Sequence, residues 1–416
     1  SFSRISIFYV IFLCLFLIST KGFSQTFVNE SWQNQEGQPS PTVNWTKTVT
    51  HYDGDVFVVG NTQHASQGTN IFLVKYDQTG VKDWEVEFNG ASSGNDYGTG
   101  IIVDDVQNSY VIGAVYNAQD QSHDYAILSY DNQGILQWQY IYDAYHKDDI
   151  PTDIAFTPDG DLLVTGSSEG NSTQRDYLTL KLDDGGNLIW QKRYDYNQYD
   201  DGAVAIEVLS PSKYVISGAS QSSPVNNEVA TITYNSSGNI MGIERSSGVV
   251  INTVEDMTTD DLGNIYLTGY ADNTNGDLDY KTVKMDSDLV VIWTKTHNEA
   301  NAMDKAQALV VDDAYNVYVT GTVINGAGVS QLKTIKYNAS GNLVWQRNFS
   351  TSNTSALFDD VDMTLNVTGE LGITASLAGN GKQVHTMGYS TGGDSKWSKT
   401  FEIVGNEKPT DRKSTR

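Results

Sequence analysis

Short runs of alternating apolar and polar residues, closed by Gly, Asn, Asp or Ser, fill this chain from Val43 onward. Such alternation puts successive side chains on opposite faces of a strand, and the turn residues supply the reversals. One stretch shows the unit. Ala306-Gln-Ala-Leu-Val-Val-Asp312 is short and apolar, and Asp313-Ala-Tyr-Asn316 has turn chemistry. Val317-Tyr-Val-Thr-Gly321 is β-branched and aromatic, and a polar loop leads to the alternating Leu332-Lys-Thr-Ile-Lys-Tyr337. Asn338-Ala-Ser-Gly341 is a second turn, and Asn342-Leu-Val-Trp-Gln-Arg-Asn-Phe349 is a fourth strand. Four strands joined by tight turns predict one antiparallel sheet.

The unit repeats. Trp84, Trp138, Trp190, Trp293, Trp345 and Trp397 follow one another at intervals of 54, 52, 103, 52 and 52 residues. The double interval places a missing member at Gly242, so seven registers fill the chain. Four residues before the tryptophan stand Gly80, Gly134, Gly186, Gly238, Gly341 and Gly393, and the fifth copy has Leu289 instead. About 24 residues before it a strand is expected to end at Gly60, Gly113, Gly166, Gly218, Gly269 or Gly321, and the seventh copy has lost that glycine. A four-stranded sheet cannot bury both faces alone, and stacking copies radially buries them and protects the edges. The expected fold is all-β: a seven-bladed β-propeller of four-stranded antiparallel blades. The turn glycine is expected to supply φ > 0 before the last strand, and the tryptophan to pack between blades.

The ends divide the chain further. Arg4 precedes an apolar run from Ile5 to Ile18, and small polar residues follow to Gln25. That order reads as a secretory signal peptide over 1–24. Cys14, the one cysteine, lies inside it, which leaves the mature chain without thiol or disulfide. Residues 25–42 form a lead and 43–405 the propeller, with Trp45 expected to close the ring between the first and last blades. Asp411-Arg-Lys-Ser-Thr-Arg416 departs from the style of the repeats and matches the translation of a common sequencing adapter. Residues 406–416 are therefore expected to pack on nothing.

Asp261-Leu-Gly-Asn-Ile-Tyr-Leu-Thr-Gly269 and Lys336 to Trp345, of the form Lys-Tyr-x-x-x-Gly-Asn-Leu-x-Trp, resemble the SBBP class of bacterial β-propeller repeats. The resemblance covers residues 43–405. It implies export, a surface or secreted role, no defined activity, and a C-terminal sorting or partner domain beyond the repeats. The Gly-x-x-x-Trp tail also resembles the docking motif of quinoprotein dehydrogenases, although the Asp-to-Gly spacing of that motif is one residue longer.

The charge changes the picture of partners. The chain carries a formal net charge of −25. Loss of Arg4 and Lys21 with the signal lowers it by two more, to −27. A field of that sign repels phosphate backbones and anionic headgroups, so nucleic acid is not an expected partner, nor is membrane insertion once the signal is removed.

Acids recur with the blade. Asp96, Asp149, Asp201, Asn252 and Asp304 stand 17 residues before the strand glycine, in the loop entering each blade. Asn70, Asp124, Asp176, Glu228, Asp279, Gln331 and Gln383 stand 14 residues before the tryptophan position, where the second strand turns into the third. Both loops open on one face. Carboxylate oxygens are hard ligands suited to Ca²⁺, but a residue that repeats with the blade is more simply a turn cap bonding its own backbone N–H. No metal or other cofactor is expected on that reading, and Asp96, Asp149, Asp201, Asp304, Asp124, Asp176 and Asp279 are the residues to examine for Ca²⁺.

No H-E-x-x-H motif is present, and none of the six histidines shares a register with another. The first functional reading is a secreted or cell-surface, monomeric, non-enzymatic binding or scaffold module for a glycan, a protein or a cation. Its variable loops would be 61–69, 114–123, 167–175, 219–227, 270–278 and 322–330. The alternative is a propeller lyase or hydrolase with a site at the mouth of the central channel. A third reading is a spacer for a further domain.

Overall fold

The computed structural model describes residues 42–51, 53–246, 250–273, 276–300, 302–350, 357–366, 368–378, 382–403 and 411–414. Segments 1–24 and 25–41, the expected signal and most of the lead, lie outside these. Among the described residues all regular structure is strand, grouped in seven antiparallel sheets of consecutive strands. Blade one is β1 (Thr42–Thr50), β2 (Val56–His64), β3 (Gly68–Tyr76) and β4 (Lys82–Phe88). Blade two is β5 (Tyr97–Val103), β6 (Ser109–Asn117), β7 (Ser122–Tyr130) and β8 (Leu136–Tyr142). Blade three is β9 (Asp149–Phe156), β10 (Leu162–Glu169), β11 (Arg175–Leu182) and β12 (Leu188–Tyr194). Blade four is β13 (Asp201–Ser210), β14 (Lys213–Ser223), β15 (Asn226–Asn235) and β16 (Ile240–Ser246). Blade five is β17 (Thr253–Thr259), β18 (Ile265–Asp272), β19 (Leu278–Met285) and β20 (Val291–His297). Blade six is β21 (Lys305–Val311), β22 (Val317–Ile324), β23 (Ser330–Tyr337) and β24 (Leu343–Phe349). Blade seven is β25 (Leu357–Leu365), β26 (Glu370–Ala378), β27 (Lys382–Ser390) and β28 (Ser395–Ile403).

The first strands of consecutive blades pack on one another from β1 through to β25, so they form the inner ring, and the fourth strands form the rim. Burial follows that order. Second and third strands are almost wholly buried, whereas rim strands such as β4 and β8 alternate exposed and half-buried. Among the described residues, six apolar clusters fill the six interfaces between consecutive blades. Burying each Val, Leu or Ile there is worth roughly 1.5–3 kcal/mol.

Two repeated glycines have separate reasons. The glycine about 24 residues before the tryptophan does not end its strand. It lies inside the second strand, opposite a β-bulge in the first, and pairing continues beyond it. At Gly113, Gly166, Gly218, Gly269 and Gly321 a Cβ would come within 1.9–2.5 Å of a first-strand carbonyl oxygen. The bulge brings that carbonyl inward, so no side chain fits. The turn glycine has φ between +74° and +85° in all six copies, as the turn before the fourth strand requires.

The tail departs from expectation. Asp411–Ser414 forms β29, paired in parallel with Lys47–Thr50 of β1 and adjacent to β25. The inner edge of β1 offers unpaired backbone N–H and C=O groups, and an edge of that kind recruits any strand within reach. The first sheet therefore has five strands, at the seam where the ring closes. The Trp45 side chain, expected at that seam, lies outside what is described.

Candidate functional site

The tryptophan register proves to be an inter-blade staple. Each indole lies across the turn glycine of the next blade, where a Cβ on Gly134, Gly186, Gly238, Gly341 or Gly393 would stand 2.6–3.0 Å from the ring. The indole N–H donates to a carbonyl of that same turn: Trp84 to Asn132 (3.0 Å), Trp138 to Asp184 (2.9 Å), Trp190 to Ser236 (3.0 Å), Trp293 to Ala339 (3.2 Å) and Trp345 to Thr391 (3.0 Å). The two exceptions in the register answer each other. Where the indole is replaced by Gly242, the next blade carries Leu289 in place of the turn glycine, at φ +66° and 6% exposed. Its Cδ1 would stand 3.4 Å from a Cβ at Gly242, so leucine occupies the space of the missing indole. Trp397 instead lies against Gly388 of its own blade. The inner ring is tied as well. Asp153 accepts Ile206 N–H at 3.0 Å and Asp256 accepts Leu309 N–H at 2.8 Å, each from the next blade.

The entry-loop acids are buried and mostly consumed by the loop. Asp96 accepts the N–H of Gly90 (2.7 Å) and of Tyr116 (2.8 Å). Asp149 accepts Ala144 N–H at 2.7 Å. Asp201 accepts Tyr196 N–H at 2.6 Å and the Ser220 hydroxyl at 2.5 Å. Asp304 accepts Glu299 N–H at 2.5 Å and, more weakly, Ile324 N–H at 3.4 Å. Each clamps its entry loop, and Asp96, Asp201 and Asp304 join it to the second strand of the same blade. In each case the partner is an N–H of the acid's own entry loop, the bond a turn cap makes. Burial holds their carboxyl groups above the usual range, with Asp149 and Asp304 pushed to about 7 and Asp201 to about 6.

The third-strand set lies beside these acids. Asp279 accepts the amides of Asn298 (2.7 Å) and Asn273 (3.0 Å). Asp176 accepts Thr173 Oγ1 at 2.9 Å and Arg193 Nη1 at 2.5 Å. Asp124 receives Asn117 Nδ2 at 3.2 Å. Burial, and then the neighbouring charge of Asp143, push its carboxyl up to about 6.

Two groups of carboxylates converge from adjacent blades: Asp124, Asp143 and Asp149, and Asp176, Asp195 and Asp201, with ligand oxygens in each group within 4.8 Å of one another. A third group, Asp120, Asp143 and His146, shares Asp143 with the first. Sequence reasoning found the outer members and missed Asp143 and Asp195. The signal was there, because 143 to 195 is the same 52-residue step as 124 to 176 and 149 to 201. The proposed variable loops are shorter than expected. Strand pairing runs past the bulge glycine and leaves only the tips 65–67, 118–121, 170–174, 224–225, 273–277 and 325–329.

The motif Asp261 to Gly269 is structural. Asp260, just before it, accepts Asn264 N–H (2.8 Å), Asn264 Nδ2 (2.7 Å) and the Tyr266 hydroxyl (2.8 Å), and Asp312 does the same for Asn316 and Tyr318.

No protein-family model matches the chain, and no curated protein matches it. Similarity to solved structures covers 344 chains. A puromycin hydrolase mutant complexed with PGG is 8% identical over 85% of this chain and 54% of its own, with a TM-score of 0.50. The β-propeller domain of the Trilobed protease from Pyrococcus furiosus is 9% identical over 83% of this chain and 92% of its own, at 0.48. The WD40 domain of SCAP from fission yeast is 9% identical over 88% and 89%, also at 0.48. At these identities the likeness is one of fold alone, and that fold is the β-propeller.

Proposed function

We propose that this chain is a secreted or cell-surface propeller of the SBBP repeat type. It acts as a non-enzymatic scaffold that presents its second-to-third-strand hairpin tips to a glycan or a protein. One observation carries the reading: a repeated framework holds tips that do not repeat. The framework is tied at the rim by Trp–Gly docking and at the inner ring by Asp153 and Asp256. The tips differ in length and chemistry, from Pro224-Val225 to Gly170-Asn-Ser-Thr-Gln174 and Asn325-Gly-Ala-Gly-Val329. Rigid scaffolds with variable loops concentrate recognition in those loops. The acidic surface favours neutral or cationic ligands over nucleic acid.

The test is a binding screen of the chain, from residue 25 on, against immobilised neutral and anionic polysaccharides and cell-surface protein extracts. Variants would have tips 224–225 and 325–329 replaced by Gly-Ser segments of equal length. Saturable binding that these variants lose at unchanged melting temperature is the expected result. Cleavage of a panel member, with no stable complex, overturns the reading in favour of an enzyme.

A further inference from the structure

We propose that Asp124, Asp143 and Asp149 form a calcium site at the junction of blades two and three, on the face where the hairpin tips open.

The same constellation recurs elsewhere in the ring with its charge answered. One step of 52 residues later, Asp176, Asp195 and Asp201 take the same places. There the protein supplies its own cation. Arg193, on the rim strand opposite Leu178, binds Asp176 at 2.5 Å, and the Ser220 hydroxyl closes the second oxygen of Asp201. Another step on, Arg245 pairs with Glu228 at 2.9 Å. In blade five the acid Asp279 is covered by two amides, and its loop partner has become Asn298. In blade six the corresponding pair, Gln331 and Asn348, is neutral and hydrogen-bonded at 3.1 Å.

Blade two breaks this pattern. The position of Arg193 and Arg245 is Ile141, paired with Ala126 as Arg193 is with Leu178, and it is 40% exposed. Isoleucine can neutralise nothing. Asp124 is 5% exposed and Asp149 0%, and Oδ1 of each is buried without a hydrogen-bond partner; Asp176 Oδ1 is unbonded too, but its carboxylate is paired with Arg193 through the other oxygen, as that of Asp124 is not. The Ser168 hydroxyl accepts from Arg193 Nη2 and lies near enough to Asp149 to favour its ionisation, so Asp124 is the carboxylate that neither a cation nor a hydroxyl answers. The other charged groups facing the cluster are Asp120, His123, His146 and Arg193. The Arg193 guanidinium is held by Asp176 and Ser168. His146 contacts Asp120 at 3.0 Å and Asp143 at 3.1 Å from a side chain that is 73% exposed, so it can swing into solvent.

The chemistry fits a hard cation. All three groups are carboxylates, with Asp120 behind them as a fourth. The ligand oxygens lie within 4.8 Å of one another, close enough for one ion, which calcium's ligands approach to about 2.4 Å, to touch all three. Magnesium holds ligands at about 2.1 Å in a stricter octahedron and keeps its waters, which a rigid junction of two blades serves less well. A cation requires the carboxyls ionised, so binding expels protons held on Asp124 and Asp149 and weakens as pH falls.

The experiment uses the chain from residue 25 on, stripped with a chelator, and titrates calcium chloride by calorimetry and thermal melting at pH 8 and pH 5.5. Expected are one calcium per chain at pH 8, a raised melting temperature, and at least tenfold weaker binding at pH 5.5. Magnesium chloride should bind at least tenfold more weakly. Asp143→Asn should abolish the response, and Asp195→Asn, in the arginine-filled sister group, should leave it intact. Ile141→Arg is the decisive variant. It installs the guanidinium of the next blade, and should fold without calcium and no longer respond to it. Absence of binding at millimolar calcium and pH 8, equal binding of magnesium, or calcium binding undiminished in Ile141→Arg overturns the proposal. None of these outcomes touches the glycan or protein reading, which is scored on the tip variants.

Discussion

Exchanging the residues at positions 242 and 289 tests whether the two exceptions in the repeat are one compensated event. Leu289 is 6% exposed and fills the gap over Gly242. Truncating a buried leucine costs about 2–5 kcal/mol. Leu289 also sits at φ +66°, where glycine is favoured by about 1–2 kcal/mol. Leu289→Gly alone should therefore lower stability by about 1–3 kcal/mol. Gly242→Trp alone meets Leu289 across the interface, because even its Cβ would stand 3.4 Å from Leu289 Cδ1. Overpacking of this kind costs about 1–3 kcal/mol. Together the two changes rebuild the docking seen at five other interfaces, with a bare turn for the indole and a carbonyl for its N–H, a hydrogen bond worth about 1 kcal/mol. The double variant should lie within about 1 kcal/mol of the parent, giving a favourable coupling of about 2 kcal/mol or more. Urea unfolding followed by circular dichroism, at constant m-value, measures the cycle. Additivity of the two single effects to within about 0.5 kcal/mol would show that the exceptions are unrelated and the docking account is wrong.

Trp345→Ala, at 8% exposure, should cost about 3–5 kcal/mol; a melting temperature equal to the parent's would place that indole outside the interface energetics. Gly321→Ala puts a Cβ 2.0 Å from Lys305 O and should prevent normal packing of blade six, whereas Gly160→Ala, at φ +86° with nothing within 4 Å, should cost only about 1–2 kcal/mol. Equal losses in the two melts would refute the bulge explanation. Asp304 keeps its proton up to about pH 7 in the folded state, against 3.8 for an ordinary aspartate. The folded chain thus binds the extra proton, and stability from this group is full below pH 4 and is lost as pH rises to 7. Each pH unit in that window is worth about 1.4 kcal/mol, on the order of 4 kcal/mol in all. Asp304→Asn should flatten the fall of stability between pH 4 and 7, and an unchanged slope in urea titrations would contradict the burial argument.

The repeat itself was legible in the chain because the forces behind it are local or strictly periodic. Alternation along Val317–Gly321 and Leu332–Tyr337, turn residues at Asn338–Gly341 and tryptophans at a near-constant interval specify strand, turn and blade count without reference to the rest of the molecule. The loop-capping bonds of Asp96, Asp201 and Asp304 follow the same logic, since a residue that recurs at one loop position serves what that loop needs. What only the tertiary structure decided depends on contacts between neighbouring units. The strand glycine reads as a strand end in the sequence because its purpose, a carbonyl brought inward by a bulge, lies on another strand. The pairing of Leu289 with Gly242, the strand added by Asp411–Ser414 on the inner edge of β1, and the unbonded oxygens of Asp124 and Asp149 are likewise relations between blades. A linear pattern records which residue types recur. Which of them are satisfied by a partner is settled when two blades meet and water is excluded, and there the absence of one guanidinium at Ile141 outweighs all that the acids have in common.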